Sequence, residues 1–277
     1  MSTRPPTNTW LYAIVGSSSV GSGTGTGHAV PPGLTGVAGE DLYVIAGPDL
    51  TALAGAVPRT DFDEEPLRRH LEDAAWLEHA VRVHHHVVDT LARAAPVLPL
   101  RFATLYHDDQ RAAAMLADHR DELLAALRRT GGRVEWGVKA YLTPTAPPTA
   151  ADAGAGDPQQ EPAARPGTAY LLRRRAHRRF QEQAVQQASD DAADVHTALA
   201  RSAVEAFCHP LQPPEATGRA EPMVLNGAYL VERSGTAAFH QAVGALSARF
   251  SGLRLETTGP WPPYSFTMNA RHEDEPP

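Results

Sequence analysis

The sequence predicts an α+β protein of two domains. Its apolar residues alternate between short continuous runs, which are typical of buried strands, and stripes at three- and four-residue spacing, which are typical of helices. Its 277 residues are enough for two domains of ordinary size. Because Gly131-Gly132 is a stop signal after the last helix of the first half, we place the domains at 1–131 and 132–277.

The first half predicts a mixed α/β domain. Short apolar runs predict strands at 10–15 and 42–46, with further extended segments at 50–57 and 97–102. Pro99 places the last of these at a sheet edge or a bulge, because proline cannot donate to the strand ladder. Apolar stripes predict one helix over 64–94 and a second over 108–130.

The second half predicts a small sheet with long helices. Strands are expected at 134–142, 223–231 and 253–257, helices at 168–207 and 236–250, and a final extended segment at 264–268. Unbroken, the helix over 168–207 would run about 60 Å at about 1.5 Å per residue, so we expect a break or bend near Ser189-Asp190-Asp191. Strand, helix, strand, helix, strand is an order that suits a ferredoxin-like α/β sandwich, with helices on one face of the sheet.

Three segments are predicted to lie outside these elements. The Gly/Ser-rich stretch 16–39 predicts a flexible loop, since it cannot bury enough apolar surface to order its backbone. The Pro/Ala/Gly-rich stretch 143–167 predicts a long loop, because its prolines and glycines stop helices and strands alike. The acidic tail 271–277 is expected to be disordered.

Composition excludes several classes of protein. The formal net charge of −7 disfavours a surface built throughout to coat nucleic acid, although a local basic patch is compatible with it. A single cysteine, Cys208, excludes an intramolecular disulfide and cysteine-rich zinc ribbons. There is neither a secretory signal nor an 18-residue apolar window, so we expect a soluble cytoplasmic protein.

No catalytic, cofactor or metal site is predicted. The glycines at 21–27 run into His28-Ala-Val-Pro-Pro, which cannot start the helix that a phosphate-binding loop requires. Three consecutive histidines, 84–86, point about 100° apart on a helix and cannot share one ion, so a buried, hydrogen-bonded histidine is the expected reading. Cys208 and His209 are adjacent in sequence, which is not evidence of a catalytic pair.

Two kinds of surface remain as candidates for binding. The basic cluster 173–179 could contact RNA phosphates or an acidic protein, although a solvated helix surface is the favoured reading. The aromatic segments at 135–139 and 259–266 include three prolines around Trp261 and Tyr264, which enforce an extended backbone suited to docking. The alternative for the second segment is that it pins itself to its own domain.

An ordered set of motifs spans nearly the whole chain. They are WLYAIV at 10–15, His84 followed by VVD at 87–89, VLPLRFAT at 97–104, GRVEWGVK at 132–139, GTAYL at 167–171 and GPWPPYSF at 259–266. In this order they resemble the gas vesicle protein F/L (GvpL/GvpF) family. One position departs from it: the family usually has Phe-Gly-Thr where this chain has Phe102-Ala103-Thr104. A positive-φ backbone there is in doubt, because alanine tolerates it less than glycine does.

The resemblance implies a non-enzymatic accessory or minor structural protein of gas vesicles, the gas-filled shells that give some microbes buoyancy. It implies two domains, the second ferredoxin-like, and binding to the hydrophobic shell protein and other accessory proteins, with no cofactor, nucleic acid or membrane. We hypothesise that the binding surface includes Arg101, Phe102, Glu135, Trp136, Trp261, Pro262, Pro263 and Tyr264. Two alternatives stay open: a small-molecule enzyme that uses the His-rich helix, and RNA binding through 173–179.

Overall fold

The computed structural model describes residues 6–17, 30–143 and 166–267. The chain divides into two compact units, Met1–Glu135 with Pro260–Pro277, and Trp136–Gly259. The segment after residue 259 is therefore grouped with the first unit, whereas the sequence analysis assigned it to the second domain. The central parts of both predicted loops, 18–29 and 144–165, and the tail 271–277 lie outside the described residues.

The first unit contains a five-stranded sheet. Its strands are β1 (Thr7–Gly16), β2 (Leu42–Ala46), β3 (Leu50–Pro58), β4 (Val97–Pro99) and β5 (Leu105–Tyr106). The order is β2-β3-β1-β4, with β5 also paired to β1. The pairs β1–β3, β1–β4, β1–β5 and β2–β3 are all antiparallel. β1 is the central strand and is buried from Asn8 to its end. The strands predicted at 10–15 and 42–46 are confirmed.

Five helices pack on the two faces of this sheet. They are α1 (Arg59–Phe62), α2 (Glu64–Glu72), α3 (Ala74–Ala94), α4 (Asp109–Asp118) and α5 (Arg120–Thr130). Because side chains alternate along a strand, β1 contributes to two cores. Trp10 and Tyr12 pack with residues of α1 and α3, while Leu11 and Ile14 pack with residues of α4 and α5.

Each long helix predicted in the first half is in fact interrupted. Asp73 adopts an extended backbone between α2 and α3, and its carboxylate accepts hydrogen bonds from the backbone N–H groups of Ala75 and Trp76. The Asp73 side chain therefore caps the start of α3 at the point where α2 ends. The spacing of apolar residues alone does not predict this interruption. The second interruption is at His119, between α4 and α5. α5 ends at Thr130, as the Gly131-Gly132 signal predicted.

The segment predicted as a strand at 97–102 is a strand only as far as Pro99. β4 pairs with β1, and residues 101–104 form a turn in which the Thr104 N–H and hydroxyl both donate to the Arg101 carbonyl. Ala103 has φ 64° in this turn. Ala103 thus adopts the left-handed backbone conformation that a glycine at this position would favour.

The second unit is built on a four-stranded sheet. The elements in this part of the chain are β6 (Arg133–Leu142), α6 (Pro166–Ala200), β7 (Glu205–Cys208), α7 (Pro214–Thr217), β8 (Met223–Glu232), α8 (Thr236–Arg249) and β9 (Leu253–Trp261). The strand order is β7-β8-β6-β9. β9 is longer than the predicted 253–257, and Tyr264–Phe266 forms a 3₁₀ turn instead of an extended segment.

α6 is one continuous helix, so the break expected near Ser189-Asp190-Asp191 is wrong. Both aspartates accept hydrogen bonds from glutamines four residues earlier, and the Ser189 hydroxyl donates to the carbonyl of Val185. The polar side chains are therefore satisfied within the helix. The helix ends at Ala200, and the last residues of the predicted helix instead form β7.

Candidate protein-interaction surface

The chain after β9 is anchored to the first unit by a buried carboxylate. Glu135 is only 8% exposed, and its two oxygens accept hydrogen bonds from the Ser265 N–H (2.8 Å) and the Ser265 hydroxyl (2.7 Å). Burial raises the pKa of Glu135, and the two hydrogen bonds from Ser265 oppose that rise. Arg129 donates to the Phe266 carbonyl at 2.7 Å. This segment is thus held at three points by groups of the first unit.

The anchored segment presents one aromatic side chain to solvent. Pro262 and Pro263 are buried, whereas Trp261 is 41% exposed. The Trp261 ring meets the His85 imidazole of α3 edge to face, with 5.1 Å between centroids. The two buried prolines that follow Trp261 restrict the backbone next to it, so Trp261 can contact another surface with little loss of backbone freedom.

Tyr264 lies beneath the same surface, with its ring centroid 6.2 Å from that of His85. Its hydroxyl is buried and has no hydrogen-bond partner among the described residues. Burial raises its pKa, and the nearby carboxylates of Asp89 and Glu135 raise it further. The phenol is therefore neutral, and its ring packs against the apolar core of the first unit. We call Trp261, His85 and Tyr264 the Trp261 surface.

The other predicted interaction residues do not lie on an exposed patch. Phe102 is half-buried, with its ring centroid 5.2 Å from Trp10 and 6.5 Å from Trp76. Arg101 is half-buried in the turn after β4. Trp136, counted with the second unit, is 6% exposed and packs edge to face on His240 at 4.3 Å. Of the eight residues hypothesised to form the binding surface, only Trp261 is exposed.

Sequence reasoning missed the role of His85 beside Trp261. The histidine run 84–86 could have indicated such a role, because consecutive residues on a helix point in different directions and at least one of the three is expected near the surface. His84 is buried, His85 is half-buried against Trp261, and His86 is exposed. The prediction that a histidine here is a hydrogen-bonded core residue is confirmed for His84. No three potential metal ligands converge within the described residues.

A thiol and an imidazole come together in the second unit, but their environment disfavours nucleophilic chemistry. Cys208 Sγ is 3.5 Å from Nδ1 of His196, and the Tyr229 hydroxyl is 3.0 Å from the same nitrogen. A catalytic cysteine needs a lowered pKa, whereas burial raises the pKa of Cys208. The sequence-adjacent His209 instead packs on Phe207, at 5.0 Å between ring centroids.

An open pocket of 660 Å³ in the first unit surrounds the start of α4. Its Asp109 carboxylate oxygen Oδ1 accepts hydrogen bonds from the hydroxyls of Thr9 and Tyr43, each at 2.7 Å. Its lining residues are threonines, Tyr43, Ala56, Gln110 and two aspartates. These two hydrogen bonds join the start of α4 to β1 and β2, so Asp109 has a structural role at this pocket.

Comparison with known proteins places the chain in a family. The sequence profile described as Gas vesicle synthesis protein GvpL/GvpF matches residues 8–268. The chain belongs to the GvpL/GvpF family. It is 41% identical over 248 residues to Gas vesicle protein L of Streptomyces sp. (strain CB03234), covering 88% of this chain and 90% of that protein. It is 27% identical over 220 residues to Gas vesicle protein F of the same strain, covering 78% and 84%.

Two solved GvpF structures share the fold. The crystal structure of GvpF from Anabaena sp. PCC7120 matches with TM-score 0.59 and 18% identity, covering 94% of this chain and 95% of that one. The structure of GvpF from Microcystis aeruginosa matches with TM-score 0.60 and 17% identity, covering 94% and 98%. A mixed α/β fold with two antiparallel sheets and helices is therefore shown for this GvpL/GvpF protein, and its role is related to gas vesicles. No helix in the described ranges is long and apolar enough to span a membrane.

Proposed function

We propose that this GvpL/GvpF protein is a non-enzymatic accessory or minor structural protein, which binds the hydrophobic shell protein and other accessory proteins in the cytoplasm during gas vesicle assembly. Membership of the family and 41% identity to a Gas vesicle protein L support a role in vesicles. A shell subunit rich in apolar surface would aggregate before assembly unless a soluble partner covered it. The net charge of −7 gives this chain the solubility that such a partner needs.

The exposed Trp261 is the observation that carries the proposed contact. Large aromatic side chains supply much of the binding free energy at protein interfaces, and this indole is 41% exposed beside two buried prolines. The half-buried His85 ring packs edge to face with this indole. In this proposal the Trp261 surface receives an apolar segment of the shell protein. Glu135 holds the segment that carries this surface through its two hydrogen bonds with Ser265.

We also propose that the second unit is a ferredoxin-like domain. The order of its main elements is β6, α6, β7, β8, α8, β9, and the spatial order of its strands is β7-β8-β6-β9. This order supports the proposal, because in a split β-α-β arrangement the first strand lies between the third and the fourth. The additional strand β7, which the sequence analysis assigned to a helix, completes that pattern.

Co-purification tests the proposed contact with the shell protein. The tagged chain and the shell protein are co-expressed, and the shell protein retained on the affinity resin is quantified for the native chain, Trp261→Ala and Leu71→Ala. Leu71 is a matched control, because it is another exposed large apolar residue of the first unit, at 38%. We expect Trp261→Ala to reduce retention about tenfold, as loss of an aromatic anchor does, and Leu71→Ala to change it less than about twofold.

The proposal is overturned if Trp261→Ala retains as much shell protein as the native chain. Circular dichroism and thermal unfolding of the variant confirm that any loss of retention is not loss of folding. Trp261→Phe provides a graded comparison, since it keeps an aromatic ring with a smaller contact area. Intermediate retention by this variant is the expected result.

A further inference from the structure

The N-terminal half of α6 is a helical segment that buries no described side chain. The buried residues of α6 begin at Ala188 and continue at Ala192, Val195 and Leu199. Between 174 and 187 every described side chain is exposed, apart from the half-buried Phe180 and Ala184. This stretch is about 20 Å long at about 1.5 Å per residue. A helical surface of this length, exposed at most of its described side chains, is available for a partner.

This surface is strongly basic in a chain that is acidic as a whole. Arg174, Arg175, Arg178 and Arg179 are all exposed, and Glu182 is the single carboxylate between 174 and 187. None of the four arginines makes an ion pair or hydrogen bond within the described part of the chain. Several arginines elsewhere are paired, among them Arg68 with two glutamates and Arg120 with Asp49.

The basic residues form a defined face together with an apolar residue. Arg174 and Arg178 are four residues apart and Val185 follows after seven more, so all three lie along one side of the helix. Val185 is 41% exposed. Arg175 and Arg179 form a second basic row beside the first. We call these five residues the basic face of α6.

We propose that the basic face of α6 binds an acidic amphipathic helix of a partner protein. Carboxylates spaced four residues apart on such a helix can pair with the arginine rows, since a guanidinium can bind a carboxylate through two parallel hydrogen bonds. An apolar residue of the same helix covers Val185, which is the helix-against-helix mode of peptide recognition. This site belongs to the second unit and goes beyond the proposed contact of the shell protein with Trp261.

Two observations favour an acidic protein over a nucleic acid. The net charge of −7 repels a polyanion that extends beyond the four arginines. The basic rows also have Val185 beside them, and the described side chains of this stretch offer no exposed Trp, Tyr or Phe ring on which a base could stack, although the smaller imidazole of His177 is exposed.

Fluorescence anisotropy with the full chain and two labelled peptides tests the proposal. The probe is an amphipathic helical peptide of about 21 residues with glutamates at i, i+4 spacing and a leucine in every heptad, and the control peptide has glutamine at each glutamate. We expect the glutamate peptide to bind at least about tenfold more tightly than the glutamine peptide, with affinity that falls as salt is added. Equal affinity for the two peptides overturns the proposal.

Charge reversal on the protein locates the site. The double variant Arg174→Glu/Arg178→Glu is compared with Arg128→Glu/Arg201→Glu, which makes the same change in net charge at two other exposed arginines. The first variant should weaken binding of the glutamate peptide at least about tenfold and the second less than about twofold. Val185→Gln, which leaves all charges in place, should weaken it about threefold. Similar losses in both double variants would show non-specific attraction and would contradict the site.

Two further measurements distinguish other occupants. A labelled single-stranded RNA of about 20 nucleotides should bind more weakly than the glutamate peptide at the same salt concentration. Tighter binding of the RNA overturns the proposal in favour of nucleic acid. Analytical sedimentation of the native chain alone tests whether a second copy of the chain occupies the basic face. We expect no self-association that depends on this face. Self-association that is lost in Arg174→Glu/Arg178→Glu would contradict the proposal, because the occupant would then be a second copy.

Discussion

The indole N–H of Trp10 donates a hydrogen bond to Nδ1 of His84 across 3.1 Å. The opposite ring nitrogen of His84, Nε2, lies 3.1 Å from the carbonyl oxygen of Leu100. Since Nδ1 must be an acceptor, the proton is on Nε2, and it is donated to Leu100. A neutral histidine, only 2% exposed, thus joins the central strand β1 and helix α3 to the chain after β4.

Acid should weaken the first unit through His84. Burial lowers the pKa of His84 to about 4, while an unfolded histidine titrates near about 6.5. Between these values the unfolded chain binds a proton that the native state does not, so the free energy of unfolding falls as the pH falls. At pH 5 the loss from this residue is about 2 kcal/mol. Urea unfolding at pH 7 and at pH 5 measures it.

The variant His84→Gln isolates this contribution, since glutamine can both accept and donate a hydrogen bond but does not titrate. The other twelve of the 13 histidines are unchanged and contribute equally to both proteins. The variant should therefore lose about 2 kcal/mol less than the native chain between the two pH values. Parallel pH dependences would show that His84 is not the titrating group.

Ala103→Gly should stabilise the protein. Ala103 has φ 64°, a conformation that costs an L-residue about 1 kcal/mol and costs glycine little. We expect a gain of about 0.5–1 kcal/mol in the free energy of unfolding, measured by denaturant titration. The matched control is Ala114→Gly, at an exposed position within α4, which should lose about 1 kcal/mol. A loss of stability in both variants would mean that φ at residue 103 is not positive in solution.

Ser265→Ala should loosen the C-terminal anchor. It removes the 2.7 Å hydrogen bond from the Ser265 hydroxyl to the buried Glu135 carboxylate and leaves the backbone N–H in place. A hydrogen bond to a charged group contributes about 2 kcal/mol, and we expect a loss of that size in thermal or denaturant unfolding at pH 7. Ser247→Ala, on the exposed side of α8, should change stability by less than about 0.5 kcal/mol. If the two variants are equally stable, the anchor contributes nothing.

Cys208 should react slowly with alkylating reagents. Cys208 is exposed, so access does not limit the reaction, but the thiolate is the reactive form and the partial burial of the thiol raises its pKa above the usual value. At pH 8 the alkylation rate should be lower than that of a cysteine in an unfolded peptide, as followed by the mass of the protein over time. A rate above that of the peptide would indicate an activated thiol and would revive the enzyme alternative.

The sequence predicted element types where the local pattern is sufficient. The continuous apolar runs in β1 and β2 mark strands that the sheet buries, and the glycine pair after α5 marks a helix end. Local patterns failed where one side chain changed the backbone. Asp73 caps α3 and divides a stripe that otherwise appears continuous, and the polar triplet at Ser189 is satisfied inside α6.

The exposure of the candidate site could not be predicted in the same way. Glu135 alternates with apolar residues along β6, and this pattern predicts a solvent-facing side chain. It is buried instead, and its carboxylate accepts a hydrogen bond from Ser265, 130 residues later in the chain. Phe102 and Trp136 look like docking aromatics and are packed against other rings. Pairings between residues so distant in the chain leave no periodicity in the sequence.

The sequence by itself determined the α+β class, most strands, the resemblance to the GvpL/GvpF family and the excess of acidic charge. These depend on residue type and on spacings of a few residues, which local geometry converts directly into structure. Only the tertiary structure decided that Trp261 is exposed beside buried prolines and that His84 is neutral between Trp10 and Leu100. It also decided that Arg174, Arg175, Arg178 and Arg179 have no partners among the described residues. Burial and hydrogen bonding are properties of groups far apart in the chain, so they exist only once the chain has folded.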